Sequence, residues 1–215
     1  MSPLPTRMAD HWWQRPGRSP GRLQYHWHVL FHGQPEVHRL AGLAQRKLAG
    51  VPGLDPVPLP WLHLTTLIVG FADEVSAEQV ADMTSDARHR LAGVRPIPVT
   101  LGPVYYHPEA IVLPPEPLDA LTPILDAVTA ATRGAGCAGH ADTDPWLPHI
   151  SIAYSHGTEP MAPAIAALGR RLPEAGIIIR SVSLVAQTQV GRSWQWQPVA
   201  EVKLGPSGHQ GPDGG

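Results

Sequence analysis

Two short apolar runs in this chain carry the same polar insertion, and they constrain the fold more than anything else in it. Residues 61–66 read Trp-Leu-His-Leu-Thr-Thr, and residues 146–152 read Trp-Leu-Pro-His-Ile-Ser-Ile. In a β-strand, residues i and i+2 point to one face. Read as strands, the runs present an imidazole beside a hydroxyl twice over: His63 with Thr65, and His149 with Ser151. Two such strands brought together place two imidazoles and two hydroxyls around one small site.

The rest of the chain repeats an order around these runs. Residues 23–31 are rich in aromatic and β-branched types and predict a strand. Pro35 opens a helix with Val37, Leu40, Ala41, Ala44 and Leu48 on one face. Residues 61–70 predict a second strand. Ser76 and Gln79 form a capping box for a helix with Val80, Ala81, Thr84, Ala87 and Leu91 inward. Residues 97–106 predict an interrupted strand. The second half repeats this: a strand at 110–113, a helix marked by Leu118, Leu121, Leu125, Val128 and Thr132, a strand at 146–154 and a helix at 161–172. Residues 177–187 and 194–204 predict a closing hairpin around Gly191. Residues 1–21 are expected to be a flexible segment, 22–204 one bilobal domain with halves 22–106 and 107–204, and 205–215 a disordered tail.

Composition narrows the function. The 215 residues suit one domain. A net charge of -2 argues against a protein that coats long duplex nucleic acid. Residues 1–50 nevertheless hold seven Arg and Lys against Asp10 and Glu36. One cysteine, Cys137, excludes an internal disulfide framework. No apolar run is long enough to span a bilayer. A cytoplasmic monomer with no membrane partner is the expectation.

Paired imidazoles and hydroxyls suit a phosphodiester. A neutral imidazole takes a proton from the attacking oxygen, and a protonated one gives a proton to the leaving oxygen. The hydroxyls steady the non-bridging oxygens. Positioning and electrostatics suffice for such a step, so no metal is required. The chain holds three His-x-Ser/Thr matches, where composition alone gives about one. His156 and Thr158 lie in a polar turn and are set aside. The other two matches sit in apolar strands at matching places in the two halves.

At these residues the chain resembles the two-histidine (2H) phosphoesterase superfamily, which includes bacterial 2′,5′ RNA ligases and cyclic phosphodiesterases. The resemblance rests on the two His-x-Thr/Ser motifs, 86 residues apart, and on Gly70, seven after His63. It extends over about residues 22–204. It implies a duplicated α+β bilobal fold, with two antiparallel-rich sheets around a central cleft and helices outside. It also implies that His63 and His149 are catalytic and that Thr65 and Ser151 bind phosphate, without metal or cofactor. The implied substrates are 2′,3′-cyclic phosphates or 2′–5′ linked nucleotides, as a small nucleotide or an RNA 3′-end. Relatives often carry Arg or Lys five residues after the second His, where this chain has Tyr154. That departure favours small cyclic substrates over ligation of long RNA.

Further residues are candidates for substrate contact. His26 and His28 share a face of the first strand, and His28 is expected to line the cleft. Trp146 and Tyr154 flank the second motif and offer surfaces for base stacking. Gln187 and Gln189 are candidates for reading a base edge. Arg15, Arg18 and Arg22 are candidates for holding an anion. Two other functions are open: a non-catalytic nucleotide or RNA-end binding module, and a hydrolase using Cys137 with His140 as its base.

Overall fold

The computed structural model describes residues 4–13, 21–141 and 145–205. The elements run in the order β1 (Gln24–Leu30), α1 (Pro35–Leu48), β2 (Leu54–Pro56), a 3-10 turn (Leu59–Trp61), β3 (His63–Phe71), α2 (Ala77–Leu91), β4 (Ile97–Pro103), β5 (Tyr105–His107), β6 (Ala110–Leu113), β7 (Pro115–Glu116), α3 (Thr122–Gly134), β8 (Ile150–Ser155), α4 (Ala162–Leu168), β9 (Arg171–Ile179), β10 (Ser181–Gln189) and β11 (Trp194–Lys203). No helix among the described residues is long and apolar enough to cross a membrane.

The strands form three antiparallel sheets with orders β11-β10-β1-β3, β2-β8-β6-β5 and β7-β4-β9. The two four-stranded sheets carry one motif strand each, β3 and β8. The expected α+β fold around a cleft is therefore present, with the third sheet as an addition. The two sheet-centred lobes do not coincide with the halves 22–106 and 107–204. The C-terminal hairpin β10–β11 completes the sheet of β1 and β3, while β2 and β5 complete the sheet of β6 and β8. The helices cross over as well: α1 packs on β8 and β9, and α3 packs on β3. Each half buries the apolar face of its first helix on the other half's motif strand, so neither half has a complete core alone.

Local chemistry explains most element boundaries. Pro35 starts α1, and all five residues expected to face inward are buried. Ser76 and Gln79 form the expected capping box, with the Gln79 backbone N–H donating to Ser76 Oγ at 3.1 Å. On α2 the buried residues are Met83, Thr84, Ala87 and Leu91, while Ala81 is exposed. The helix α3 starts at Thr122, later than the expected pattern, and Leu118 stays outside at 39% exposure. The last helix is shorter than expected. Gly169, at φ 67°, ends α4, and the chain turns directly into β9. There Leu172, Ala175, Ile177 and Ile179 are buried. The run 177–187 accordingly breaks at Arg180 into strands of two different sheets.

The N-terminal segment also differs from expectation. Residues 4–13 are not loose. The Met8 side chain is 3% exposed within the core. The backbone N–H groups of Met8, Ala9 and His11 donate to the carbonyls of Glu159, Pro108 and Ser155 at 2.8, 2.8 and 2.9 Å. A buried apolar side chain and paired backbone groups hold a terminus that has no periodicity to announce it. The expected tail beyond Gly205, and Arg15 and Arg18, lie outside the described residues. Met8→Ala is expected to cost about 2 kcal/mol or more of stability, the cost of removing a buried methionine. Urea denaturation checks this; a change within about 0.5 kcal/mol, the scale of an exposed site, would mean the segment is not anchored.

Candidate active site

A cleft of about 350 Å³ lies between the two four-stranded sheets. His63 and Thr65 line it from β3, and His149 and Ser151 line it from the start of β8. All four motif residues thus meet at one site. His107, Glu109 and Ala110 line it from the β5–β6 turn, and Gln187 and Trp194 from the C-terminal hairpin. No Arg or Lys is among the described lining residues.

The two histidines are held in the same way. His63 Nδ1 lies 3.0 Å from the carbonyl oxygen of Trp61, and His149 Nδ1 lies 2.8 Å from that of Leu147. A carbonyl only accepts, so each Nδ1 carries the proton and donates it to the backbone two residues earlier. That leaves each Nε2 as the atom available to a ligand. Burial pushes His63 down to about 4; the bond to Trp61 opposes this shift and the neighbouring His149 adds to it. His63 is therefore a neutral imidazole at neutral pH.

Both motif strands carry a β-bulge directly after the hydroxyl residue. In the β1–β3 ladder, Trp27 pairs with Leu67 and His28 with Thr65, leaving Thr66 as the extra residue. In the β6–β8 ladder, Ile111 pairs with Ala153 and Val112 with Ser151, leaving Ile152 extra. An extra residue reverses the alternation of faces beyond it. Ile68 and Tyr154, each five residues after its histidine, consequently face the cleft along with Thr65 and Ser151. The expected contact residue Tyr154 is a lining residue for this reason.

Two other expected contacts fall elsewhere. His28 is fully buried and lies behind the cleft wall. Its ring sits 4.5 Å from that of His63, and Trp196 packs edge-on against both. Its Nε2 lies 2.7 Å from the Gln187 side-chain amide. Burial holds its pKa well below the ordinary histidine value, with His63 and His26 adding to the effect. The next histidine on that strand, His26, lines the cleft in its place. Trp146 spends its indole N–H on the Thr65 carbonyl at 3.2 Å, tying the two motif strands together, and is not a lining residue.

The remaining candidates are otherwise engaged. Arg22 pairs with Asp73 at 2.7 Å and Glu74 at 2.6 Å and lies over the Phe71 ring. Gln187 lines the cleft, whereas Gln189 bonds the Gly191 carbonyl in the hairpin turn. The Cys137–His140 segment covers the open edge of β3, where His140 and Ile68 exchange backbone bonds of 2.8 and 2.9 Å. Burial raises the Cys137 thiol pKa, which disfavours the thiolate a nucleophile needs. Among the described residues, no three His, Cys, Asp or Glu are placed to hold a metal ion. Trp194, one of the tryptophans that the sequence offers for base stacking, is a lining residue. Sequence reasoning missed His11, His107 and Glu109, which sit in an aperiodic terminus and a turn, where pattern carries no signal.

No curated protein sequence matches the chain significantly. Among solved structures, TT0787 of Thermus thermophilus superposes with a TM-score of 0.64 at 18% identity, covering 86% of this chain and 100% of that one. Escherichia coli LigT complexed with 3′-AMP gives 0.61 at 15% identity, covering 86% and 99%. The MHV ns2 PDE domain gives 0.55 at 10% identity, covering 76% and 99%. These likenesses concern the fold. The family model described as the 2′-5′ RNA ligase superfamily matches residues 33–191, a span that includes both motif strands. By that match the chain belongs to the 2′-5′ RNA ligase (2H phosphoesterase) superfamily.

Proposed function

We propose that this protein is a metal-independent phosphodiesterase that opens 2′,3′-cyclic phosphates or cleaves 2′–5′ linked nucleotides, with His63 and His149 as its acid–base pair. The observation that carries this reading is the matched Nδ1–H bonds of the two imidazoles, which leave both Nε2 atoms for one cleft. For a cyclic phosphate, His63 Nε2 takes a proton from water and the water oxygen attacks phosphorus. The P–O3′ bond breaks, His149 gives its Nε2 proton to O3′, and a 2′-phosphate with a free 3′-hydroxyl results. In the reverse direction the two histidines exchange roles.

Thr65 and Ser151 donate to the non-bridging oxygens. The lining supports a diester over a monoester. A diester carries one negative charge, which suits one imidazolium and neutral hydroxyls, whereas the product monoester carries nearly two. A cleft without a lining Arg or Lys among its described residues holds the product less well than a cationic one and favours its release. The solved complexes of LigT with 3′-AMP and with ATP support a nucleotide-sized ligand for this fold.

Incubation with the four 2′,3′-cyclic mononucleotides, followed by product identification, tests the reading directly. A 2′-phosphate is expected. Tight nucleotide binding with unchanged substrate would instead make the protein a binding module. His63→Ala and His149→Ala are each expected to lower kcat by about 10²- to 10⁴-fold. Thr65→Val and Ser151→Ala are expected to lower it by about 10²-fold, the scale of one oxyanion donor. EDTA and Cys137→Ser are expected to leave the rate unchanged; strong inhibition by either would move the chemistry to a metal or to the thiol.

Acidity gives a further prediction. The rate is expected to follow a bell-shaped pH profile whose acid limb lies well below 6.5, because His63 protonates near 4. The same shift links pH to stability. A histidine with a depressed folded-state pKa favours the folded state fully above its unfolded pKa of about 6.5. That contribution is lost as pH falls through the folded value of about 4. Urea midpoints are expected to decline across this window. A midpoint flat from pH 7 to 4 would contradict the buried neutral His63.

A further inference from the structure

The N-terminal segment crosses one end of the cleft, and it lies outside the family match at residues 33–191. Its His11 is a lining residue. The His11 ring stacks on Tyr154 of β8 at 4.1 Å and 17°. At the ring edge, the Trp194 indole N–H donates to His11 Nε2 at 3.1 Å. Because that nitrogen accepts, the His11 proton sits on Nδ1, which faces Glu109 Oε2 at 3.5 Å. One ring is thus gripped by both lobes, through β8 on one and the β10–β11 hairpin on the other.

The next residue strengthens the span. The Trp12 indole N–H donates to Asp55 Oδ2 at 3.1 Å, and Arg192 of the hairpin turn reaches the same oxygen at 3.3 Å. Met8, buried in the core, and backbone bonds to Glu159, Pro108 and Ser155 fix the strap from below. Tyr154 stands five residues along β8 from His149, and because Ile152 is an extra residue the two are roughly 14 Å apart along the strand. The cleft volume of about 350 Å³ is near the small end of the roughly 300–1,000 Å³ typical of ligand sites.

We propose that residues 4–13 form a specificity strap that closes the Tyr154–Trp194 end of the cleft and restricts it to mononucleotide-sized phosphodiesters. This rests on the phosphodiesterase reading above. A nucleoside fits between the histidine pair and the strap. A chain continuing past it meets the His11 ring and has to displace a segment anchored on both lobes. His11 acts here as a specificity-determining residue through its ring, and it takes no part in proton transfer.

The test compares kcat/KM for a 2′,3′-cyclic mononucleotide with that for an oligoribonucleotide ending in the same cyclic phosphate. The unmodified protein is expected to favour the mononucleotide by about tenfold or more, the scale of a built steric discrimination. His11→Ala is expected to bring the ratio toward one, and His11→Phe, which keeps a ring against Tyr154, to preserve it. Trp12→Ala, which frees the strap from Asp55, is expected to act in the same direction as His11→Ala. Equal rates on both substrates in the unmodified protein would overturn the strap while leaving the phosphodiesterase reading intact. So would discrimination that persists in both alanine variants. No turnover of the mononucleotide would remove the underlying reading and the strap with it.

Discussion

The site depends on two backbone hydrogen bonds, from His63 Nδ1 to the Trp61 carbonyl and from His149 Nδ1 to the Leu147 carbonyl. An imidazole has two nitrogens, and which one holds the proton is set by the bond the other makes. Here the backbone sets both tautomers identically, using the residue two positions earlier in each case. The hydroxyls then follow from strand geometry, since i+2 returns to the same face. The bulge after each hydroxyl turns the position five residues beyond the histidine inward. Hydrogen bond, alternation and bulge recur in the same order in both motif strands, with Thr66 and Ile152 as the extra residues. This repetition of local geometry extends beyond the side-chain types that the two runs share.

The fold then has to press these strands against one cleft, and it does so by exchange. The strand β3 is at the edge of its sheet, and an open edge is a liability. The His140 backbone pairs with Ile68 on that edge, and the Trp146 indole ties the preceding loop of β8 to the Thr65 carbonyl. The helices α1 and α3 each pack on the other half's motif strand. A change that shifts one motif strand is therefore transmitted to the other through packed elements on both sides.

Much of this was legible in the sequence, for physical reasons that differ by element. The helix α1 and the capping box of α2 are local devices, and periodicity and spacing find them. The two motif strands are short apolar runs with a polar pair at spacing two, which strand alternation reads directly. Sequence does not separate His26 from His28, because both share a face, and depth below that face depends on Trp196 and Gln187, which are distant in sequence. The inward aim of Tyr154 depends on a bulge, and no residue type at Ile152 announces one. The anchored terminus depends on one buried methionine and on backbone groups, neither of which has a period. The break at Arg180 was hidden because β9 and β10 are both apolar enough to read as one strand.

Two further imidazoles stand near His63, His26 in the cleft lining and His28 buried behind it. The rings of His26 and His28 lie 5.2 Å apart, and those of His28 and His63 lie 4.5 Å apart. Like charges at such distances in a buried site repel strongly, and burial itself disfavours each charged form. In the proposed reaction the proton for the leaving oxygen therefore does not come from this stack. The acid proposed there, His149, is less buried than His63 and lies beside the strand of the opposite sheet. The two motif histidines thus differ in environment, although their hydrogen bonds and neighbouring hydroxyls are alike. Matching local geometry is set in two different surroundings, because His63 packs against the buried imidazole of His28 from the adjacent strand while His149 is more open to the cleft.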